Sequence, residues 1–513
     1  MSNSHIEDNK RIAKNTIMLY IRMLFGMLVS FYTSRVILNA LGVEDFGIQN
    51  VVGGFVSMFS LVSMSLSSSV GRFLTFELGK GDFESLKKVF STSVMIHIGL
   101  AIIVFVLSET VGVWFVNNKM VIPEERLYAA NWVFQASILS FIFGLLSVPY
   151  NALIVAHERM SAFAYIGILE IVLKLVIVLF IAYSPFEFDK LILYSLLLTA
   201  LGILMRFIYV SYCRRNFKES ELHLHFDKSC LKEMGAFAGW NFIGCSALLL
   251  KNQGVDLLLN LYFGPIVNAA RGIAGTVNGA ISSFSGNFMT ALNPQITKSY
   301  AAEEREYTLA LVERGSRFSF FIMFIFALPI FLEADFVLAI WLKQYPEHTV
   351  NFVRLILVLS LCDIISNTLI TLQSATGKIR NYQLAVGLTL LMNFPLSYIC
   401  LKLGCPPESV LVVAIFVSIC CFILRLLFLR HSVKLSMRNF LYGVCLRILV
   451  VVVVSSILPI IVYSNMDYGW LRLIVVGATS ILSSSVMILL LGCTTGERNF
   501  IVKKVLTLNA RFI

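Results

Sequence analysis

The chain has 513 residues, of which 58% are hydrophobic and 14% are charged, and its mean hydropathy is +0.82. Soluble domains carry about 25% charged residues, so this composition excludes a soluble globular protein and indicates a chain that crosses a membrane repeatedly. The net charge of +11 does not indicate a nucleic-acid partner, because the positions of the basic residues explain it better.

Apolar runs of about 20 residues, long enough to cross a bilayer as helices, recur along the whole chain. We therefore predict an all-α polytopic membrane protein with about 14 transmembrane helices. In chain order they are expected at residues 14–41, 47–69, 90–117, 127–155, 161–184, 190–212, 237–262, 266–292, 316–341, 350–373, 381–402, 408–429, 440–464 and 470–493.

The basic residues are distributed unequally between the two sides of these helices. With the N-terminus inside, the inside loops hold 26 of the 41 lysines and arginines, the outside loops hold 7, and 8 lie within helices. Cytoplasmic loops of membrane proteins carry such an excess, so we predict that both termini are cytoplasmic. The ten cysteines show no zinc-ligand spacing, and we expect no metal and no cofactor.

The two halves of the chain resemble each other. Residues 73–90 match 297–314 in pattern, and Glu109 is echoed 224 positions later by Glu333. We predict a duplication of six helices, with two helices added at the end. The expected domains are an N-terminal six-helix bundle (1–213), a cytoplasmic linker (214–236), a C-terminal six-helix bundle (237–434) and two extra helices with a cytoplasmic tail (435–513).

The number of helices in each repeat predicts the symmetry. Because six is an even number, both bundles enter the membrane in the same orientation, and their pseudo-two-fold axis should lie along the membrane normal. Transporters with such repeats bind their cargo at the interface between the halves, where we expect a cavity.

Eight cationic residues lie inside predicted helices, and each costs roughly 2.5–3.5 kcal/mol near the bilayer centre. Acidic residues at comparable depth are fewer, chiefly Glu170, Asp256 and Asp363. A positively charged cavity with a negatively charged cargo would explain the excess. The eight residues are Arg22, Arg35, Lys174, Arg206, Lys251, Arg271, Arg425 and Arg447.

The first and seventh helices contribute three of the candidate substrate-binding cations. Arg22 and Arg35 are 13 residues apart, which places them about 140° apart on a straight helix, so both cannot face one narrow cavity. Arg22 is deeper, whereas Arg35 can extend to the outer interface. In the seventh helix Lys251 suits an anionic group. Asp256, five residues later, lies on a neighbouring face, where it either pairs with another helix or serves as an ion-coupling carboxylate.

The eighth helix combines glycines and serines with Asn268, Arg271 and Asn278. Small residues allow helices to pack closely, which accounts for the glycines and serines. Packing alone does not call for the asparagines or the arginine, so we interpret these three residues as part of a cavity wall.

The fifth helix contains Glu170 and Lys174, a pair with i,i+4 spacing in the favoured order. One interpretation is an internal ion pair that neutralises both. The other is ion coupling through Glu170, for which Lys174, Asp256 and Asp363 are the further candidates.

Several enzyme classes are excluded by what the sequence lacks. There is no G-x-x-x-x-G-K-[ST] motif for ATP hydrolysis, and the predicted outside loops are too short for a catalytic domain. We therefore predict that the protein is not an enzyme.

Two stretches carry a family resemblance. The N-terminal sequence KNTIMLYIRMLFGMLVSFYTSRVILNALGVEDFGIQNVVGGF and the stretch FGPIVNAARGIAGTVNGAISSFSGNFMTALNPQITKSYA at 263–301 resemble bacterial polysaccharide transporters. These belong to the multidrug/oligosaccharidyl-lipid/polysaccharide (MOP) exporter superfamily, which includes MATE transporters. The greatest similarity is to flippases of O-antigen or capsule repeat units.

The resemblance implies two six-helix bundles that alternate between inward-open and outward-open states in the bacterial inner membrane. It implies a cargo of oligosaccharide linked through diphosphate to a polyprenyl lipid. The diphosphate would bind a cationic cavity formed by Arg22, Arg35, Lys251 and Arg271. Membrane lipids are the expected surroundings, and a complex with a glycan polymerase is a further hypothesis.

Two alternatives remain open. A drug/cation antiporter on the same fold would need a net acidic cavity, whereas this one has a basic composition. A membrane glycosyltransferase or glycan polymerase would carry a large outside loop with catalytic acids, and no such loop is predicted.

Overall fold

The structure is a computed structural model that describes residues 3–57, 59–118, 120, 122–183, 189–221, 227–342 and 344–499. Nearly all of these residues are helical, and none of them forms a strand. The predicted all-α membrane fold is confirmed. The last predicted segment, 501–513 of the C-terminal tail, and part of the linker, 222–226, lie outside the described residues.

Fourteen long helices can be followed through the described ranges. They are α1 (Asn3–Ser57), α2 (Ser60–Lys80), α3 (Phe83–Asn118), α4 (Leu127–Ala156), α5 (Met160–Tyr183), α6 (Lys190–Asn216), α7 (Lys228–Phe263), α8 (Pro265–Ala301), α9 (Arg305–Leu332), α10 (Thr349–Ala375), α11 (Arg380–Lys402), α12 (Ser409–Ser432), α13 (Met437–Asn465) and α14 (Trp470–Gly492).

The first helix is divided at Gly42. Its backbone there has φ 83° and ψ 170°, a conformation that glycine adopts without the steric penalty of a Cβ atom. The second predicted helix, 47–69, therefore falls partly on the second arm of α1 and partly on α2. The gap between the predicted helices, 41–47, contains this break, but the later division between Ser57 and Ser60 was not predicted.

Twelve helices of the described chain are long and apolar enough to cross a membrane. Neither α2 nor α8 is among them. Both are the second helix of a predicted repeat, and both are rich in glycine and serine, which lowers their hydropathy. Polar second helices are thus a property that the two halves share.

Polar side chains cap the starts of several helices. Asp82 accepts a hydrogen bond from the Ser85 amide at 3.0 Å at the start of α3. Asp189 accepts from the Leu191 and Ile192 amides at 3.0 and 3.2 Å at the start of α6. Each carboxylate satisfies amides that the first helical turn leaves without partners.

The chain forms two compact units. The first contains residues 1–245 and 290–303, and the second contains residues 246–289 and 304–513. The helices α7 and α8 each contribute to both units. The predicted bundle boundaries at 213 and 237 describe the sequence duplication rather than compactness, and they stay predictions.

The first unit has an apolar core where the second arm of α1 packs on α4, through buried residues such as Val52, Val133 and Phe134. An ion cluster lies at one end of it. Arg126 donates to Asp45 at 2.8 Å and to Asp189 at 2.6 Å. The cluster ties α1 to the beginnings of α4 and α6.

The second unit holds the two C-terminal helices through ion pairs at both ends of α14. Arg472 donates to Glu333 at 2.8 and 3.0 Å. At the other end, Arg317 of α9 donates to the Gly492 carbonyl at 3.0 Å and to Glu497 at 2.7 Å. These paired, buried contacts fasten α14 to α9.

The matched glutamates of the two halves occupy equivalent positions. Glu109 lies in a π-helical turn, Ser108–Gly112, that interrupts α3. Glu333 follows the end of α9 and precedes a short continuation, Ala334–Leu342. An interruption at the same point of the corresponding helices supports the predicted duplication.

Candidate functional site

A cavity of about 540 Å³ lies inside the first unit. Its walls come from α1, α4, α5 and α6, and Arg22, Glu170 and Lys174 line it. Sequence reasoning nominated these three residues for two different roles. The structure brings them to one place.

The α5 wall is a single stripe of four residues. Phe163, Gly167, Glu170 and Lys174 are spaced four, three and four residues apart, so they lie along one helical face. Phe163, Glu170 and Lys174 line the cavity, and Gly167 lies directly against Arg22.

The guanidinium of Arg22 is held by this stripe. Its Cζ atom lies 4.6 Å from the centre of the Phe163 ring, within the range of a cation–π interaction. A Cβ atom at Gly167 would lie 2.8 Å from Arg22 Cζ and 2.9 Å from Cδ. Glycine at position 167 therefore creates the space that the guanidinium occupies.

No carboxylate of the described residues lies within ion-pair distance of Arg22. A cation inside an apolar bundle is costly unless water, a partner or a ligand compensates it. Arginine presents planar paired donors that match phosphate and carboxylate oxygens. The position of Arg22 is thus suited to an anionic ligand.

The predicted ion pair between Glu170 and Lys174 is not formed within the described chain, although both side chains are exposed along the cavity wall. Counting these two residues and Arg22, the lining carries two cations and one carboxylate. The cavity is therefore weakly cationic, with one carboxylate on its wall.

The rest of the lining is rich in small polar groups. Ser195 donates to Gln49 at 3.0 Å, and the Ser140 hydroxyl lies 3.1 Å from that of Thr199. Asn151 Oδ1 has no hydrogen-bond partner among the described residues. Hydroxyls and amides of this kind can bind sugar hydroxyls, and Phe163 and Tyr209 add aromatic surface.

The second unit places Lys251 beside a carboxylate. The Lys251 side chain is only 3% exposed, and its Nζ atom lies 3.9 Å from Asp363 Oδ2. Asp363 also accepts a hydrogen bond from Ser418. Two of the predicted site residues therefore neutralise each other here.

Arg271 is likewise paired. It donates to Asp256 across the turn between α7 and α8. Asn278 accepts a hydrogen bond from Ser282 at 3.3 Å, and Asn268 is half-buried near the start of α8. These groups form a polar region of the second unit, in which Arg271 is paired with a carboxylate.

Arg35 has an exposed side chain far along α1 from Arg22, as the 13-residue spacing predicts. No group of three or more His, Cys, Asp or Glu side chains in the described ranges could hold a metal ion.

Sequence reasoning missed Phe163, Gly167 and Asn151. The helical spacing of Phe163 and Gly167 with Glu170 and Lys174 was the signal that would have found the stripe. No local signal distinguished Asn151 from other polar residues in apolar helices.

The comparisons with known proteins agree with this architecture. Residues 12–300 match the family described as polysaccharide biosynthesis protein. The uncharacterized membrane protein EpsK of Bacillus subtilis (strain 168) is 21% identical over 325 residues, which cover 62% of this chain and 63% of EpsK. The chain thus matches slightly less than two thirds of that relative's length.

Solved transporter structures share the fold. A MATE crystal structure in the straight conformation has a TM-score of 0.71 at 13% identity, covering 83% of this chain and 96% of the other. A MOP superfamily transporter from Pyrococcus furiosus, with a binding pocket of reverse polarity, has a TM-score of 0.66 at 15% identity, covering 82% and 96%. The chain belongs to the polysaccharide biosynthesis protein family and has the transporter fold of the MOP superfamily.

Proposed function

We propose that this protein is a flippase that moves a polyprenyl-diphosphate-linked oligosaccharide across the bacterial inner membrane by alternating access. The observation that carries the proposal is Arg22, a cation without a carboxylate partner among the described residues, in a hydroxyl-rich cavity. The family match supplies the link to polysaccharide assembly. The positive-inside distribution supports cytoplasmic termini.

The size of the cavity limits what part of the cargo it takes. Ligand pockets typically measure about 300–1,000 Å³, and this one measures about 540 Å³. That volume suits a diphosphate and the sugar next to it, not a whole repeat unit. The remaining sugars and the lipid tail would lie outside this cavity.

Each group in the cavity then has a defined role. Arg22 donates paired hydrogen bonds to a phosphate, and Lys174 adds a second positive charge. Glu170 faces the same space, where its carboxylate is a candidate for coupling transport to an ion gradient. Asp256 and Asp363 remain candidates for coupling in the second unit, although both are engaged by cations.

The decisive experiment is deletion of the gene in its native host. Lipid-linked repeat units should accumulate on the cytoplasmic leaflet, and the surface glycan should be lost. Expression of the wild-type chain should reverse both effects. Loss of surface glycan without accumulation of the lipid-linked precursor would contradict a flippase.

A drug/cation antiporter is the second candidate, because Glu170 and aromatic residues share the cavity and related folds include a multidrug resistance MATE transporter. A binding assay with purified protein separates the two. Saturable binding of a cationic dye, with no binding of a polyprenyl diphosphate, would favour the antiporter. The flippase predicts the opposite pattern.

The expected partners follow from the proposed cargo. They are the lipid-linked oligosaccharide itself, the surrounding membrane lipids and, as a further hypothesis, a glycan polymerase that consumes the exported repeat units. Co-purification of the chain with such a polymerase would test the last of these.

A further inference from the structure

Glu158 lies in the three-residue connection, 157–159, between α4 and α5, with its carboxylate fully buried at 0% exposure. Its backbone has φ 58°, in the left-handed region that disfavours residues with a Cβ atom by roughly 1–2 kcal/mol. A buried charge in a strained backbone position persists only where surrounding contacts compensate it. Neither the cavity nor the proposed cargo path uses this residue.

Side chains from two other helices surround the Glu158 carboxylate. Arg11 of α1 lies 2.8 Å from Oε2, and Lys298 of α8 lies 2.7 Å from Oε1. Gln295 of α8 donates to Oε2. Asn15 of α1 donates to the Glu158 carbonyl at 3.1 Å. We call these five residues the Glu158 cluster.

The end of α8 is held close by two further contacts. A Cβ atom at Gly79, near the end of α2, would lie 2.6 Å from the Lys298 carbonyl oxygen and 2.8 Å from Ala301 Cβ, so the two helices meet where residue 79 lacks a side chain. Ala291 is buried with Leu19 and Met160. Ionic, backbone and apolar contacts thus converge on one short segment.

The compact units divide α8 just before this segment. Residues up to Met289 belong to the second unit, and residues from Thr290 belong to the first. Pro294 lies within the helix and has no N–H group to donate to the carbonyl four residues earlier, that of Thr290. The helix is therefore weakened where it passes from one unit to the other.

We propose that the Glu158 cluster is a latch that fastens the last three turns of α8 to the first unit in one state of the transport cycle and releases them in another. Pro294 is the joint at which the segment moves. Charge-assisted hydrogen bonds give the latched state its stability. Release exposes the charged groups to water, which solvates them, so the two states can interconvert.

The proposed latch acts on conformation and is independent of the cargo, so it can be tested without a ligand. Hydrogen–deuterium exchange of the full-length protein is measured for backbone amides of residues 290–303. Glu158→Gln keeps the shape of the side chain but removes its charge. We expect exchange in 290–303 to rise about tenfold, which corresponds to ~1.4 kcal/mol, with residues 305–332 unchanged.

Two variants make the result specific. Glu219→Gln removes another buried carboxylate, which pairs with His157 and does not contact α8, and it should leave exchange in 290–303 at the wild-type rate. Lys298→Gln, at a partly exposed position, gives the same test should Glu158→Gln fold poorly.

The outcomes that overturn the latch are distinct from those that overturn the flippase. Unchanged exchange in 290–303 for both Glu158→Gln and Lys298→Gln would end the proposal. So would an equal rise in residues 305–332, or in the Glu219→Gln protein, because each indicates general loosening. Neither result depends on lipid-linked sugar, whose accumulation after gene deletion tests the proposed function separately.

Discussion

The candidate substrate-binding cations Arg22, Lys251 and Arg271 have different surroundings in the two units. In the first unit Arg22 lies over Phe163, and no carboxylate of the described chain pairs with it. In the second unit Lys251 and Arg271 lie beside Asp363 and Asp256. Residues that look equivalent in the sequence therefore differ in the charge that they leave available to a ligand.

This difference narrows the predicted site. A cation that is neutralised by a carboxylate must lose that partner before it binds an anion, and removing one partner of such a pair is costly. Arg22 has no such competitor among the described residues, so we propose a binding site centred on Arg22 and Lys174 in place of the four predicted cations. In this proposal the second unit supplies structure or ion coupling. The predictions below test this contrast, from the largest expected effect to the smallest.

The largest effect is expected for Arg22→Ala. Losing paired charge-assisted hydrogen bonds costs about 3 kcal/mol, or roughly a hundredfold in affinity for a polyprenyl diphosphate. Isothermal titration of the purified protein would measure it, and Arg22→Lys should retain part of the binding. Arg35→Ala is the matched control on the same helix and should bind like the wild type. Equal losses of affinity for Arg22→Ala and Arg35→Ala would contradict a binding site centred on Arg22.

Gly167→Ala should act through Arg22. The new methyl group would displace the guanidinium from its place over Phe163, and we expect affinity to fall about tenfold (~1.4 kcal/mol). The mark of this mechanism is that Gly167→Ala has no further effect in an Arg22→Ala background. Additive losses in the double variant would show that the glycine acts independently of Arg22.

Asp363→Asn should lower stability rather than cargo binding. It leaves the buried Lys251 without its carboxylate, but Asp363 itself is 44% exposed, so solvent screening limits the cost to about 1 kcal/mol. A lower melting temperature in detergent, with diphosphate affinity preserved, is the expected result. Asp467→Asn, at an exposed position, serves as the control. Preserved stability with lost binding would place the ligand in the second unit.

The smallest effect is expected for Phe163→Leu. It removes a cation–π interaction of about 0.5–1 kcal/mol and keeps an apolar side chain of similar length. Affinity for the diphosphate should fall two- to fivefold. Tyr165→Leu, an exposed position on the same helix, should change nothing. A loss as large as that of Arg22→Ala would indicate that the ring contacts the cargo directly.

Particular residues show which parts of the candidate site could be predicted from the sequence. The separation of Arg22 from Arg35 on α1 follows from helical spacing alone, whereas the membrane depth of Arg22 stays a prediction. The partner of Lys251 was not predictable, because Asp363 lies 112 positions away and no local pattern connects the two. Glu158 gave no signal at all, since its importance rests on side chains from α1 and α8.

The whole protein likewise has features that the sequence determines and features that only the tertiary structure decides. Hydropathy and the distribution of basic residues determined that the chain spans a membrane many times, because the cost of exposing polar groups to lipid acts on each segment separately. The tertiary structure alone decided which charges meet, where α8 is divided between the two units, and that Arg22 lies without a carboxylate partner among the described residues. Those outcomes depend on distances between residues that are remote in the chain, and a sequence read segment by segment does not contain them.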